Sequence, residues 1–452
     1  MPLRDIETIV FAMMENRSFD HALGYLSTSA ANPPMAVEGL RDDPAWRARQ
    51  ANPYNGQKYE PHQIASATQV IDDPPHDHAA IAQQLGAGSQ MNGFVASYVA
   101  NSRKPPADPS AVMGYYTAHD VPTYDFFARN FAVCDHWFAA LPTGTQPNRL
   151  MAMAGSSAIL DNAKILLPDQ HLVYDWLTEK KVSWCAYQWG DFFPFFALNG
   201  RFLPEIATSL ALSALGGRGR FRRYSRFNEQ WLAPDPMPSV IFIEPEYTDG
   251  PHSAPNDDHP PTGIAQGQSF LADLYNTLTA NPARWRNTLL IVTYDEHGGF
   301  FDHVPPLPIP SLAGGTKLAT TGVRVPAFLV SPHVAPGLPF TDRLDHTSFL
   351  QLLADRFTPG QPYSADVSAR QAHLGRIATA LTQIPGEPPM LPQDAVAFAA
   401  PAPDPSRQPV SPGAARTADA FDLVTQKLVA DHPELVYGPG WTSLAARLPT
   451  PK

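Results

Sequence analysis

The stretch that most constrains the fold is the apolar, β-branched run Thr288-Leu-Leu-Ile-Val-Thr-Tyr294. It gives way without transition to Asp295-Glu296-His297-Gly298-Gly299 and then to Phe300-Phe-Asp302-His303. A run with no polar alternation predicts a strand covered on both faces, as in a parallel sheet. Acids and imidazoles at its C-terminal end, ahead of a glycine turn, are how an open α/β sheet builds a site at its strand ends. The N-terminal region repeats the arrangement: residues 6–14 predict a strand that ends on Glu15-Asn16-Arg17-Ser18-Phe19-Asp20-His21. Glu-Asn after one strand is most often a cap or a turn. Two strands ending in acids make a shared site the better reading.

Between these stretches, residues 28–75 are rich in Pro, Asn, Asp and Gly and predict a long loop. Asp73-Pro-Pro-His76 then leads into a helix over His78–Leu85, closed by Gly86 and Gly88. A helix is predicted over 123–129. Thr145-Gln-Pro-Asn-Arg149 opens another, with Thr145 as N-cap and Pro147 in the first turn. A hydroxyl there lies beside unpaired N–H groups that receive a phosphate, although a plain capping threonine has the same sequence. Further strands are predicted at 182–188, at 238–243 ahead of Glu244-Pro-Glu246, and at 323–330. Helices are predicted at 267–278 and 347–357, with irregular chain over 200–235. The aromatic crowd over 184–196 suits core packing, or a cation–π cage for a choline headgroup.

The length, 452 residues, accommodates a large core. Residues 1–383 are expected to form the main domain. Residues 384–452 are expected to form a Pro/Ala-rich segment and a helix at 415–431 that pack on it. A formal charge of −11 argues against a nucleic-acid partner, and the arginines over 218–226 read as a solvated loop. Cys134 and Cys185 read as packed thiols, their pairing depending on geometry. The absence of an apolar run of about 18 residues predicts no transmembrane helix. The absence of a signal peptide predicts a cytoplasmic protein unless a presequence is missing.

Strands alternating with helices predict an α/β fold with a largely parallel central sheet flanked by helices. Glu15, Asn16, Asp295 and Glu296 offer oxygen alone, which favours one hard divalent ion such as calcium, magnesium or manganese. Such an ion beside a hydroxyl and imidazoles suits phosphoryl transfer.

Glu15-Asn-Arg-Ser-Phe-Asp-His21, Thr145-Gln-Pro-Asn-Arg149, Asn256-Asp-Asp-His-Pro-Pro261 and Tyr294-Asp-Glu-His-Gly-Gly-Phe-Phe-Asp-His-Val304 resemble the signatures of a bacterial phosphoesterase family. Its members include phospholipases C and acid phosphatases that inhibit the respiratory burst. The resemblance implies an alkaline-phosphatase-like fold and a metal held by Glu15, Asn16, Asp295, Glu296 and Thr145. It also implies that Thr145 is the nucleophile, that Asn148 binds a phosphate oxygen, and that His259 and His303 are site histidines. A further one is His76 or, after a shift, His78. Family members are usually exported. The function expected is metal-dependent hydrolysis of a phosphate ester, such as a phospholipid or phosphorylcholine ester, of the phospholipase C type. Thr145 would form a phosphothreonyl intermediate, with His259 or His303 protonating the leaving oxygen. The alternatives are an acid phosphatase on the same site, or a catalytically silent phosphate-ester or metal-binding module. His297 is expected to be structural, and the oligomeric state stays open.

Overall fold

The two apolar runs that end in acids become neighbours at the middle of one sheet. In this computed structural model the described residues are 2–65, 69, 71–102, 104–163, 166–189, 199–214, 219–247, 255–393 and 395. The sheet strands are β1 (Thr8–Met14), β2 (Ala132–Val133), β3 (Trp184–Gln188), β4 (Phe221–Arg223), β5 (Val240–Glu244), β6 (Thr288–Tyr294) and β7 (Ala327–Val330). Their order is β2-β7-β6-β1-β5-β3-β4. All run parallel except β7, which is antiparallel to both β6 and β2. Every residue of β1, β5 and β6 is buried, as continuous apolar strands covered on two faces require.

Register shows which helices cover which face. Phe11 lies opposite Ile291, and Ile291 opposite Leu329, so these side chains share a face and Phe328 points to the other. The principal helices are α1 (His78–Leu85), α2 (Pro122–Asn130), α3 (Thr145–Ala154), α4 (Ala265–Thr279) and α5 (Thr347–Phe357). Phe349 of α5 stacks on Phe11 at 4.1 Å between ring centroids. Across the sheet, Phe127 of α2 meets Phe328 and Tyr275 of α4, each at 5.7 Å.

The expected α/β class is what the chain adopts, with local corrections. Residues 200–235 are not irregular: they hold a helix over Leu203–Ala214, strand β4, and a helix over Phe227–Leu232. Nor are the arginines there simply solvated, since Arg220 and Arg222 lie over the rings of Trp184 and Tyr187 at 4.9 and 5.6 Å. The loop over 28–75 contains a short helix, Pro44–Arg49, and a hairpin of Asn52–Tyr54 with Gln57–Tyr59. Gly144, not Thr145, is the N-cap of α3. Cys134 and Cys185 are free and buried. Among the described residues no helix is long and apolar enough to cross a membrane. The segment expected at 384–413 lies outside the described residues from 396 onward, as does all of the helix expected at 415–431. So does 190–196 of the aromatic crowd.

Candidate active site

Three neighbouring strands each deliver a carboxylate to one guanidinium. Glu15 follows β1, Asp295 follows β6 and Glu244 closes β5. Arg149 of α3 sets Nη2 3.1 Å from Glu15 Oε1, Nε 3.3 Å from Asp295 Oδ2 and Nη1 3.9 Å from Glu244 Oε2. Nη1 also donates to the Tyr247 hydroxyl at 2.8 Å, and Nη2 to the carbonyls of Met13 and Met14 at 3.3 Å. All four charged groups are buried. Mutual pairing offsets a desolvation cost of several kcal/mol per ion. Arg149 lies four residues after Thr145, the spacing that places two side chains on one helix face.

Asn16 has φ 61°, a left-handed conformation that asparagine tolerates better than most residues with a side chain. It aims the Asn16 N–H at Asp295 Oδ1 at 3.2 Å, which also accepts from the Glu296 N–H at 2.7 Å. The Asn16 Nδ2 faces His76 Nε2 at 3.4 Å, and Glu296 Oε1 lies 3.9 Å from the same nitrogen. Among the described residues, Asn16 Oδ1 and Glu296 Oε1 are buried oxygens with no hydrogen-bond donor. Burial pushes the Asp295 carboxyl up to about 6; Arg149 pulls against that and the Glu296 charge adds to it. Adjacent buried acids and donor-free oxygens suit a hard divalent cation, and Asp73, His76 and His259 beside them bring one ligand atom each to within 4.8 Å of one another.

The imidazoles sort into two groups. His76 donates Nδ1–H to the Pro74 carbonyl at 2.8 Å. Burial alone would lower its pKa, but Glu296, Asp73 and Asp295 outweigh that and lift it to about 9. His259 donates Nδ1–H to Pro260 O at 2.6 Å, which leaves Nε2 3.9 Å from Asp73 Oδ1. The two rings meet edge-on at 5.8 Å. His78 is turned elsewhere: its Nδ1 is 2.9 Å from Pro142 O and its N–H donates to Asp161 Oδ1 at 2.8 Å. Of the pair, it is His76 that faces Asn16 and Glu296. His303 belongs to a separate cluster, donating Nδ1–H to Asp20 Oδ2 at 2.6 Å with the edge of Trp46 at 5.2 Å. Burial works to lower its pKa, but Asp20 raises it overall.

The segment entering α3 is pinned from several sides. Asn148, expected on a phosphate oxygen, spends both amide atoms on backbone. Its Oδ1 accepts from Leu141 N at 2.9 Å, and Nδ2 donates to the carbonyls of Leu141, Thr143 and Gly144 at 3.1, 2.8 and 3.1 Å. Thr143 Oγ1 reaches Leu160 O and Asp161 Oδ1 at 2.6 and 2.8 Å, and Gln146 N–H donates to Asn162 Oδ1 at 2.8 Å. His297 donates Nε2–H to Gln84 Oε1 at 2.8 Å, and Gln84 Nε2 donates to Pro75 O at 2.7 Å. This strap holds the segment that carries His76.

Gly298 explains the glycine turn. It has φ 61°, and a Cβ there would lie 2.2 Å from the carbonyl oxygen of Asn16. Gly298→Ala is therefore expected to cost at least about 2–4 kcal/mol, from the left-handed backbone plus the clash. Chemical denaturation measures it, and an unchanged midpoint would show that the turn can move away from Asn16.

Sequence reasoning passed over Arg149, Glu244, Tyr247, Asp73 and Gln84. Glu244 shared the signal already used for Asp295, an acid closing an apolar strand, and the i,i+4 spacing from Thr145 marked Arg149.

Residues 6–358 match a family model described as the phosphoesterase family. The chain belongs to the phosphoesterase family. Non-specific phospholipase C6 of Arabidopsis thaliana is 32% identical over 347 residues, covering 74% of this chain and 62% of the plant protein. The chain thus spans less than two thirds of that relative's length. Phospholipase C A of Mycobacterium tuberculosis is 29% identical over 433 residues, covering 84% of this chain and 77% of its own. A solved structure of a protein in the alkaline phosphatase superfamily from Vibrio parahaemolyticus is 10% identical. It has a TM-score of 0.31 and covers 73% of each chain.

Proposed function

We propose that the chain is a metal-dependent phosphoric-ester hydrolase that cleaves phosphodiesters in the manner of a phospholipase C. The observation carrying this reading is the pair of buried, donor-free oxygens, Asn16 Oδ1 and Glu296 Oε1, beside the acids gathered at Arg149. Glu15, Asn16, Asp295 and Glu296, with Thr145, would hold the ion. A calcium, magnesium or manganese ion held there would supply Lewis-acid polarisation of the phosphate and lower the pKa of the Thr145 hydroxyl. Thr145 Oγ1, its proton released to solvent, would form a bond to phosphorus while the bond from phosphorus to the alcohol oxygen breaks. His259 would give that oxygen its proton; water would then attack the threonine phosphodiester, releasing Thr145 Oγ1 and returning a proton to His259. His76, between Glu296 and His259, is positioned to face a phosphate oxygen. Relatives named as phospholipases C support the diester as substrate.

Rates on nitrophenyl phosphorylcholine and nitrophenyl phosphate test this reading. The protein is stripped with EDTA and reloaded with each ion in turn. The diester is expected to be preferred by about tenfold or more in kcat/KM, with activity lost on stripping and regained on reloading. Preference for the monoester would transfer the assignment to an acid phosphatase. Absence of turnover on both, with every ion, would leave a silent binding module.

A further inference from the structure

We infer, resting on the metal-dependent reading above, that Arg149 is a built-in cation filling one of two cation places at the strand-end acids. The chain then takes a single divalent ion there, and Arg149 is the positioning residue that keeps Thr145 in register with it. Among the described residues, the buried acids at this edge include Glu15, Glu244, Asp295 and Glu296. Arg149 reaches the first three through three different nitrogens. Glu296 and Asn16 turn their side chains toward His76 instead. The acid cluster thus has an arginine half and a half where Asn16 Oδ1 and Glu296 Oε1 lack donors, so Glu15 and Asp295, one oxygen of each on Arg149, would stand between the arginine and the ion.

The arginine half is built to stay closed. A guanidinium is permanently charged, and its rigid fork matches several carboxylates at once. This one is also held by the carbonyls of Met13 and Met14 and lies 4.8 Å over the ring of Tyr247. A divalent ion entering that half would meet a fixed positive charge, with little water to screen it. The same side chain ties α3, and therefore Thr145, to the ends of β1, β5 and β6. A displacement of about 1 Å in such an attachment is enough to cost about a hundredfold in rate.

The test uses the full chain as wild type, Arg149→Met and Arg149→Lys. Manganese is titrated calorimetrically into EDTA-stripped protein, and kcat and KM are measured on nitrophenyl phosphorylcholine. Wild type is expected to bind one ion. Arg149→Met is expected to bind manganese about tenfold more tightly, or to take a second ion, because a repelling charge has gone. Its kcat should nevertheless fall by about a hundredfold, with KM within about threefold. Arg149→Lys keeps the charge without the fork, so it should keep wild-type stoichiometry and recover part of the lost kcat. A merely structural arginine would weaken ion binding and turnover together. Wild-type stoichiometry with equal or weaker affinity in Arg149→Met would overturn the inference while leaving the metal site standing. Wild type that binds no manganese would instead sink the metal reading itself, and this inference with it. Should Arg149→Met not fold, Arg149→Lys decides, since undiminished kcat there would show that the fork is not needed.

Discussion

Thr145→Ala is expected to lower kcat on nitrophenyl phosphorylcholine by at least about 10⁴-fold, because the group that would bond to phosphorus is gone. The structure makes the substitution clean. Gly144 supplies the N-cap of α3, so the hydroxyl has no capping duty. The segment before it is held by Asn148, Thr143 and His78, none of which the change touches. Thr145 is buried, so loss of its methyl should cost about 1 kcal/mol. A fold kept at that small cost, beside a collapsed rate, separates the chemical role from a structural one. Acid quenching of wild type during turnover should trap a phosphodiester that carries the phosphorylcholine group on Thr145, and the alanine variant should trap none. Turnover near the wild-type rate would remove Thr145 as nucleophile.

Arg324→Met should produce the largest loss of stability, roughly 3–5 kcal/mol, the cost of breaking a buried ion pair from one side. The Arg324 side chain is fully buried. It donates to Asp302 Oδ1 at 3.0 Å, Asp20 Oδ1 at 3.1 Å, and the carbonyls of Glu38 and Asp135 at 2.6 and 2.8 Å. Methionine has similar bulk and no donor, so two carboxylates are left with less support. The effect has a pH signature. Burial already raises the Asp302 carboxyl, and Arg324 pulls it back; without Arg324 it rises further. A carboxyl raised in the folded state is best tolerated when protonated, so the variant keeps most stability at low pH and loses it as pH climbs past the folded pKa. The gap between wild type and variant in denaturant unfolding should therefore be wider at pH 8 than at pH 5. Equal gaps, or a gap below about 1 kcal/mol, would show that these acids do not depend on Arg324.

What the sequence disclosed was local. β1 and β6 could be read because each is an uninterrupted apolar run ending in acids. Their adjacency could not, since Asn16 and Asp295 are 279 positions apart and pairing at that range leaves no periodic trace. The strand and helices within 200–235 were obscured by charge. Phe221, Tyr224, Phe227 and Trp231 carry the packing there, but the intervening arginines mimic a solvated loop until their rings and guanidinia are seen to stack. Threonine and glycine rank about equally as N-caps, and the side-chain oxygen of Thr145 favours it in the sequence. Asn148 reverses this by holding the carbonyls of Thr143 and Gly144, which starts the helix one residue before the sequence suggests. His76 and His78 differ by two positions in a proline-bounded turn, and only the packing against Asn16 and Pro142 assigns their directions. Arg149 looked ordinary because an arginine in a helix is usually at the surface.

The placement of β1 between β5 and β6 also sets a timetable for biosynthesis. Its ladder partners begin at Val240 and Thr288. At about 5–20 residues per second, the nascent β1 segment waits on the order of tens of seconds for its neighbours. Throughout that interval an entirely apolar strand has two bare hydrogen-bonding edges, the condition under which chains pair with the wrong partner. The candidate site and the aggregation risk thus share one origin. The residue that would anchor the metal is translated early, and the sheet that makes it an anchor closes only when Asp295 arrives.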